Sequence, residues 1–407
     1  MRIIEPHQLH QARKKSRLIK LSIFGLLALM IVVTTLSTIA YYLPIPVASA
    51  TTVDVKIDTQ KIALAWPTYG QAAIGAVGYG LLTQSGLNRP VPMASVAKTM
   101  TALAVLKQKP LVAGKAGPTI TLSQADLDMY NSYVAKNGSV VAIEVGESLS
   151  ERQALEAMLL PSANNMADSL ADWAFGSVNN YLDYANNLAK SLGLKDTHIA
   201  DASGFLPATV STASDLVLLG QAVMQTPDLA QIVNEQTAAV PVVGLVRNTN
   251  YLLGQEGLVG IKTGNTDEAG GCFLLALNHA YNGKTITIIG AVLGAPTLYK
   301  AMNDGLKLAT SATAGFGSSK VISTGQEVGY YNTYDERRII VVAQKDISVF
   351  GWLGQAHKTQ VKLNKLSYPV VAEQETGSVS VENQSVPVVI SASASGPSWR
   401  WRLSRWF

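Results

Sequence analysis

Charge is scarce in this chain of 407 residues: 15% are Asp, Glu, Lys or Arg, against about 25% in an ordinary soluble domain. With 48% hydrophobic residues beside that shortage, disorder and low complexity are excluded for most of the length. Cysteine is nearly absent. The single Cys272 permits no internal disulfide, which excludes a disulfide-stapled miniprotein. Set in Gly271-Cys272-Phe273-Leu274-Leu275 with no activating neighbour, it reads as a small buried hydrophobe. Histidine is also sparse: only His7, His10, His198, His279 and His357 could serve a Ser-His-Asp triad, and no Gly-x-Ser-x-Gly elbow occurs. Asp196 and His198 have no second histidine at ligand spacing, so no metal and no other cofactor is expected.

Positive charge is missing where a nucleic acid would need it. Arg2, Arg13, Lys14, Lys15, Arg17 and Lys20 outweigh Glu5 in residues 1–20, and Arg400, Arg402 and Arg405 mark the C-terminal end. Those two ends carry more than the whole net charge of +4, so the body between them is acidic. No nucleic-acid partner is expected, because phosphate neutralisation requires basic residues on the folded surface.

Between Leu21 and Leu43 no residue is charged. As a helix at about 1.5 Å per residue, such a run reaches roughly 34 Å, enough for a bilayer core of about 30 Å. Residues 1–20 are thus expected as a cytoplasmic basic segment and 21–43 as a transmembrane anchor or signal segment, with the remainder on the extracytoplasmic side of the cell membrane. Ala48-Ser49-Ala50 resembles a cleavage site, whereas the length of the apolar run favours a retained anchor.

At about 100–200 residues per domain, the length allows two folded units. Thr52 to Thr59 alternates and Ala72 to Thr83 is mostly apolar, as strands are. Helical patterns follow at Ser95 to Lys107, Glu151 to Leu160 (capped by Ser150 and Gln153), Asn165 to Phe175, Asn179 to Leu192, Ala213 to Met224 and Leu298 to Ala309. Strands return at Leu258 to Gly264, Gly271 to Leu277 and Thr285 to Leu293, the last two joined through Asn282-Gly283, a strong hairpin signal. The expected fold is α/β (α+β): one antiparallel sheet flanked by helices, with a helical subdomain, over about 53–313. Short β-branched stretches at Arg338 to Ala343, Val361 to Asn364 and Val386 to Ile390 imply a small all-β domain at 318–390. Residues 391–407 read as a Ser-rich linker and a tail. On a helix its Trp399, Leu403, Trp406 and Phe407 share one face, suited to the interface of an anionic membrane.

Three motifs occur in order: Ser95-Val96-Ala97-Lys98, Ser162-Ala163-Asn164 and Lys262-Thr263-Gly264. Ser95 and Lys98, three apart, lie on one face of a helical turn, and an alcohol needs an adjacent base to become a nucleophile. A lysine is that base only if burial and a neighbouring cation such as Lys262 lower its pKa. Ser162 follows Pro161 at a helix exit, where its hydroxyl and the Asn164 amide can project into a cleft. Lys262 and Thr263 end a strand with a cation and a hydroxyl suited to a substrate carboxylate. Gly264 lets the backbone approach a ligand, and an exposed strand edge can pair with an extended peptide.

Ser-x-x-Lys, Ser-x-Asn and Lys-Thr-Gly in this order form the signature of penicillin-binding proteins and class A β-lactamases. The flanks Ser95-Val96-Ala97-Lys98-Thr99-Met100, Asp201-Ala202-Ser203-Gly204-Phe205 and Gly260-Ile261-Lys262-Thr263-Gly264-Asn265 resemble the D-alanyl-D-alanine carboxypeptidase family, the low-molecular-weight penicillin-binding proteins. The resemblance implies a β-lactamase/penicillin-binding-protein-like fold and removal of terminal D-alanine from peptidoglycan stem peptides, with β-lactam antibiotics as covalent inhibitors. It also implies that Ser95 is acylated, Lys98 is its base, Ser162 passes a proton to the leaving D-alanine and Asn164 orients Lys98 and the substrate. Lys262, Thr263, Gly264 and Asn265 would bind substrate, with the N–H groups of Ser95 and Asn265 as oxyanion hole.

Two positions depart from the family pattern. Asn165 stands where an acidic residue is common, and Asn248-Thr249-Asn250 stands where some members carry an arginine, with Arg247 just outside. Cutting of cross-links by a DD-endopeptidase, a β-lactamase-like hydrolase and a non-catalytic penicillin- or peptidoglycan-binding protein are the alternatives. Ser-Ala-Asn in place of Ser-Asp-Asn disfavours the β-lactamase. The paired serine and lysine disfavour the pure binder.

Overall fold

The computed structural model describes residues 6–45, 47–55, 59–112 and 114–404. Arg2 and Glu5 of the basic segment, and Arg405, Trp406 and Phe407 of the tail, lie outside the described residues. The chain divides into two compact units: Thr59–Ser319 with Phe350–Gln355, and Met1–Asp58 with Lys320–Val349 and Ala356–Phe407.

The first unit is built on a five-stranded antiparallel sheet. Its order is Leu258–Thr266, Gly270–Tyr281, Lys284–Ala295, Gln71–Ala76, Gly80–Gly86, so the strand carrying Lys262-Thr263-Gly264 is an edge. Alternation along the central strands serves two cores. Leu274, Ile289 and Ala291 pack with the Ala213–Met224 helix and the helical region around it, while Phe273, Leu275, Ile288 and Val292 pack with Leu298–Thr313. The hairpin at Asn282-Gly283 forms with both residues at positive φ, 46° and 77°, as the type I′ turn requires. Where one apolar strand over Ala72 to Thr83 was expected, the chain makes two, turning at Val77-Gly78-Tyr79.

The helical region holds Lys98–Gln108, Gln124–Ala135, Glu151–Leu159, Asn164–Phe175 and Val178–Ser191. Cys272 is fully buried and its thiol is pushed up to about 12 by burial, which keeps it inert.

The second unit contains a six-stranded antiparallel sheet in the order Ser49–Thr52, Glu327–Asn332, Arg338–Ala343, Gln384–Ile390, Glu375–Val381, Thr359–Leu363. Its core gathers Tyr331, Val341, Val379, Val381, Val388 and Ile390. The strand expected over Thr52 to Thr59 lies earlier: Ser49–Thr52 pairs with Glu327–Asn332, and Val55 reaches the same core from irregular backbone. Lys56, Ile57 and Asp58 are outside the described residues.

The unit boundaries accordingly differ from 53–313 and 318–390 by short exchanges. Phe350–Gln355 belongs with the first unit because Trp352 packs edge-on to Phe316 at 5.2 Å and over Gly315, where a Cβ would meet its ring at 2.1 Å. The Ser391 to Ser398 connector is pinned by a bridge between Ala394 and Val370, by the Ser391 N–H donating to the Ile340 carbonyl at 3.0 Å and by Ser393 Oγ accepting the Ala372 N–H at 2.8 Å. Arg13–Tyr42, within the helix Pro6–Tyr42, is long and apolar enough to cross a membrane. In the tail helix Trp399–Ser404, Arg402 Nη1 donates to the Tyr41 carbonyl at 3.0 Å and Trp401 packs on Tyr334.

Among the described residues, Glu151 is a buried carboxyl with neither oxygen hydrogen-bonded. Glu151 opens its helix beside residues 116–118, whose Pro118 carbonyl accepts the Glu151 N–H at 2.9 Å and whose Ala116 carbonyl accepts the Arg152 N–H at 3.0 Å. The side chain is fully buried, neither carboxylate oxygen has a hydrogen-bond partner, and burial raises its pKa to about 7. A raised carboxyl pKa lowers stability as pH climbs from the unfolded value to about 7, above which the loss is complete. Glu151→Gln is therefore expected to raise the unfolding midpoint at pH 8, with the gain fading toward pH 4.5, in thermal melts across that range.

Candidate active site

Ser95 lies in a single 3-10 turn, Ala94–Ala97, that runs directly into the helix Lys98–Gln108. The expected helix start at Ser95 is thus a tighter turn. At three residues per turn it brings Ser95 and Lys98 onto the same side. Lys98 Nζ donates to Ser95 Oγ at 2.9 Å, to Asn164 Oδ1 at 2.6 Å and to the Ser203 carbonyl at 2.9 Å. Ser95 is half-buried, while Lys98 is fully buried.

Two close approaches set this turn. Ala94 enters it at φ 48°, and Gly204 lies so near that a Cβ there would meet the Ala94 carbonyl oxygen at 1.9 Å. On the other side, a Cβ at Gly264 would come 3.0 Å from both the Ser95 nitrogen and the Met93 carbonyl oxygen. Neither glycine admits a side chain without moving the turn that carries Ser95.

Ser162 occupies the break between the helices Glu151–Leu159 and Asn164–Phe175, at φ 69°. Such left-handed backbone is costly for a non-glycine residue and persists where the surroundings hold it. Lys262 Nζ donates to Ser162 Oγ at 3.0 Å and to the Thr263 carbonyl at 3.0 Å. Thr263 and Gly264 are buried beside it, and Asn265 follows exposed at the strand's end. Ser95 with Lys98 and Asn164, and Ser162 with Lys262 and Thr263, are therefore joined by direct hydrogen bonds.

Electrostatics follow from burial. Lys98 is lowered to about 7 because its charged form loses water, an effect partly opposed by Asp201 and Asp168. Lys262 is pushed well below its ordinary value, first by burial and then by Lys98. A proton acceptor poised near neutrality is what a serine nucleophile requires.

Behind Lys98 lies a network the motifs did not reveal. Tyr133 Oη donates to Asp168 Oδ2 at 2.8 Å and lies 3.3 Å from Ser203 Oγ, which donates to Asp201 Oδ2 at 2.7 Å. Burial raises Asp168 to about 6. Asp168 follows Asn164 by one helical turn, a spacing that places both on one face. Tyr133 comes from Gln124–Ala135, a helix with no fully buried residue, whose Leu127 and Tyr130 pack only partly buried against the core. Asn165, in place of the common acidic residue, is buried and clamps Val141, accepting its N–H at 3.2 Å and donating to its carbonyl at 3.1 Å. His198 pairs through its backbone with Val210, and no group of three or more metal-ligating side chains occurs among the described residues.

The D-alanyl-D-alanine carboxypeptidase family, peptidase family S11, matches residues 77–297, more than half of the chain. The chain belongs to this family. Among its relatives, the D-alanyl-D-alanine carboxypeptidase of Streptomyces sp. strain K15 is 29% identical over 257 residues, covering 59% of this chain and 84% of that protein. A D-alanyl-D-alanine endopeptidase of Pseudomonas aeruginosa is 34% identical over 192 residues, which span 46% of this chain and 59% of that relative's length. Penicillin-binding protein 5 of Haemophilus influenzae shares the fold, with a TM-score of 0.57 at 20% identity over 84% of this chain and all of that one. Like the family, the chain is a serine peptidase of mixed α and β structure with a further all-β region.

If Asp168 helps hold up the Lys98 pKa, Asp168→Asn lowers it. The acid limb of the rate of acylation by a chromogenic penicillin, expected near pH 7 in the wild type, then shifts to lower pH. A shift to higher pH, or none, contradicts this electrostatic assignment.

Proposed function

We propose that this enzyme removes the terminal D-alanine of peptidoglycan stem peptides through an acyl-enzyme on Ser95, and that β-lactams acylate the same oxygen. The observation that carries the proposal is the fully buried Lys98 amine 2.9 Å from Ser95 Oγ with its pKa lowered to about 7. Lys98 in its neutral form takes the Ser95 proton as Oγ attacks the carbonyl of the penultimate D-alanine. The Ser95 and Asn265 N–H groups stabilise the oxyanion, where one donor is typically worth about 10²–10³ in rate.

Ser162, held by Lys262, relays to the departing amine the proton that Lys98 took from Ser95, and Asn164 keeps Lys98 and the substrate amide in register. Thr263 takes the terminal carboxylate, with Lys262 supplying positive potential and Gly264 allowing the close approach. Water then hydrolyses the ester. A β-lactam follows the same first step, but its leaving group stays tethered and blocks the water.

Catalysis is assigned to the unit Thr59–Ser319, with the Arg13–Tyr42 span anchoring the chain so that this unit works on the extracytoplasmic side. Residues 399–407 add a membrane-interface contact. The all-β unit is left without a catalytic role. Cleavage of cross-links is a second reading, favoured by the relative named as an endopeptidase and by the open edge of the Leu258–Thr266 strand.

The test is incubation of the full-length protein in detergent with a fluorescent penicillin, adduct mapping by mass spectrometry, and an assay of D-alanine release from a D-Ala-D-Ala peptide. The expected result is an adduct on Ser95, and release in the wild type that falls at least a thousandfold in Ser95→Ala, on the scale of losing a nucleophile (about 10⁴ or more). An adduct without release moves the assignment to an endopeptidase or a binding protein. No adduct at Ser95 rejects it.

A further inference from the structure

Thr249 Oγ1 lies 2.6 Å from Thr263 Oγ1. Its backbone is fixed on the other side of the cleft, where its N–H donates at 3.0 Å to the carbonyl of Leu160, two residues before Ser162. The flanking asparagines are engaged locally. Asn248 accepts the Asn250 N–H at 2.9 Å and donates to the Glu235 carbonyl at 2.9 Å, while Asn250 is buried and accepts the Leu252 N–H at 3.3 Å. Of these three residues Thr249 is the exposed one. Arg247 is exposed at the end of the strand Gly244–Arg247, and among the described residues no hydrogen bond or ion pair joins its side chain to Thr263.

Thr263 has a single hydroxyl proton and is 3% exposed. If it donates to Thr249, nothing is left for a ligand; if it accepts from Thr249, its own O–H is free to donate. An anion beside the pair selects the second arrangement, since chained hydrogen bonds polarise one another. We propose that Thr249 is a positioning residue whose O–H donates to Thr263 Oγ1, aiming the Thr263 O–H at the terminal carboxylate of the substrate. This deepens the carboxypeptidase activity proposed above and rests on it. The free C-terminus is then recognised through a relay of two neutral hydroxyls, with no guanidinium in contact.

Thr249→Val keeps the shape and removes the hydroxyl; Thr249→Ser restores it. With the full-length enzyme, KM for a D-Ala-D-Ala peptide is compared with Ki for the same peptide amidated at its C-terminus. Thr249→Val is expected to raise KM about tenfold, the scale of one hydrogen bond, with kcat within about twofold, Ki for the amide unchanged, and recovery in Thr249→Ser. Equal losses on both peptides, or none on either, overturn the proposal.

If the wild type releases no D-alanine, the carboxypeptidase activity itself fails. Acylation by benzylpenicillin against its methyl ester then tests Thr249 separately: a loss confined to the free acid supports the relay, and any other pattern rejects it.

Discussion

Everything at this site depends on keeping one amine dry. Lys98 is enclosed completely, yet in its charged form each of its three N–H donors has a partner: Ser95 Oγ, Asn164 Oδ1 and the Ser203 carbonyl. Burial of an ammonium without partners would be prohibitive, and burial with an adjacent carboxylate would lock it protonated. Here the partners are neutral, and the carboxylates of Asp168 and Asp201 act without a direct hydrogen bond to the amine. The balance leaves an amine that can hold or release a proton near neutral pH. A second buried lysine, Lys262, is itself pushed well below its ordinary value by burial and by Lys98, and it donates to the second serine.

Backbone geometry delivers these groups. Ser95 sits on a 3-10 turn pressed between Gly204 and Gly264, and Ser162 sits at a left-handed residue between two helices. Both are irregular points supported by regular elements: a five-stranded sheet on one side and a bundle of short helices on the other. Loops placed by a rigid scaffold can hold strained conformations because packing around them allows few alternatives. The edge position of the Lys-Thr-Gly strand follows from the same architecture, since its other neighbour in the sheet is missing.

The parts of the site visible in the sequence were those within one turn or one strand end. Ser95 with Lys98, Ser162 with Asn164, and Lys262 with Thr263 are each separated by three residues or fewer, so spacing alone placed them together. Tyr133 and Thr249 were not visible in this way because only tertiary packing brings them near those motifs, whereas Asp168 lies one helical turn after Asn164, a spacing legible in the sequence. The Gln124–Ala135 helix buries no residue fully, and its clearest local signal is the capping box at Ser123 and Asp126. Element types over the central sheet were clear from apolar runs and from Asn282-Gly283. The unit boundaries were less so, because Ser49–Thr52 and Phe350–Gln355 are each grouped with residues distant in sequence.

The central claim is that burial lowers the Lys98 amine to about 7, so that its neutral form is available near neutral pH to act as the base. The most direct measurement is an NMR titration of the lysine amines in protein labelled at the lysine side chains, with the Lys98 signal assigned by its loss in Lys98→Arg. A midpoint near 7 is the predicted result. A Lys98 signal that stays charged to about pH 10, as a solvated lysine does, would contradict the account and require another base for Ser95.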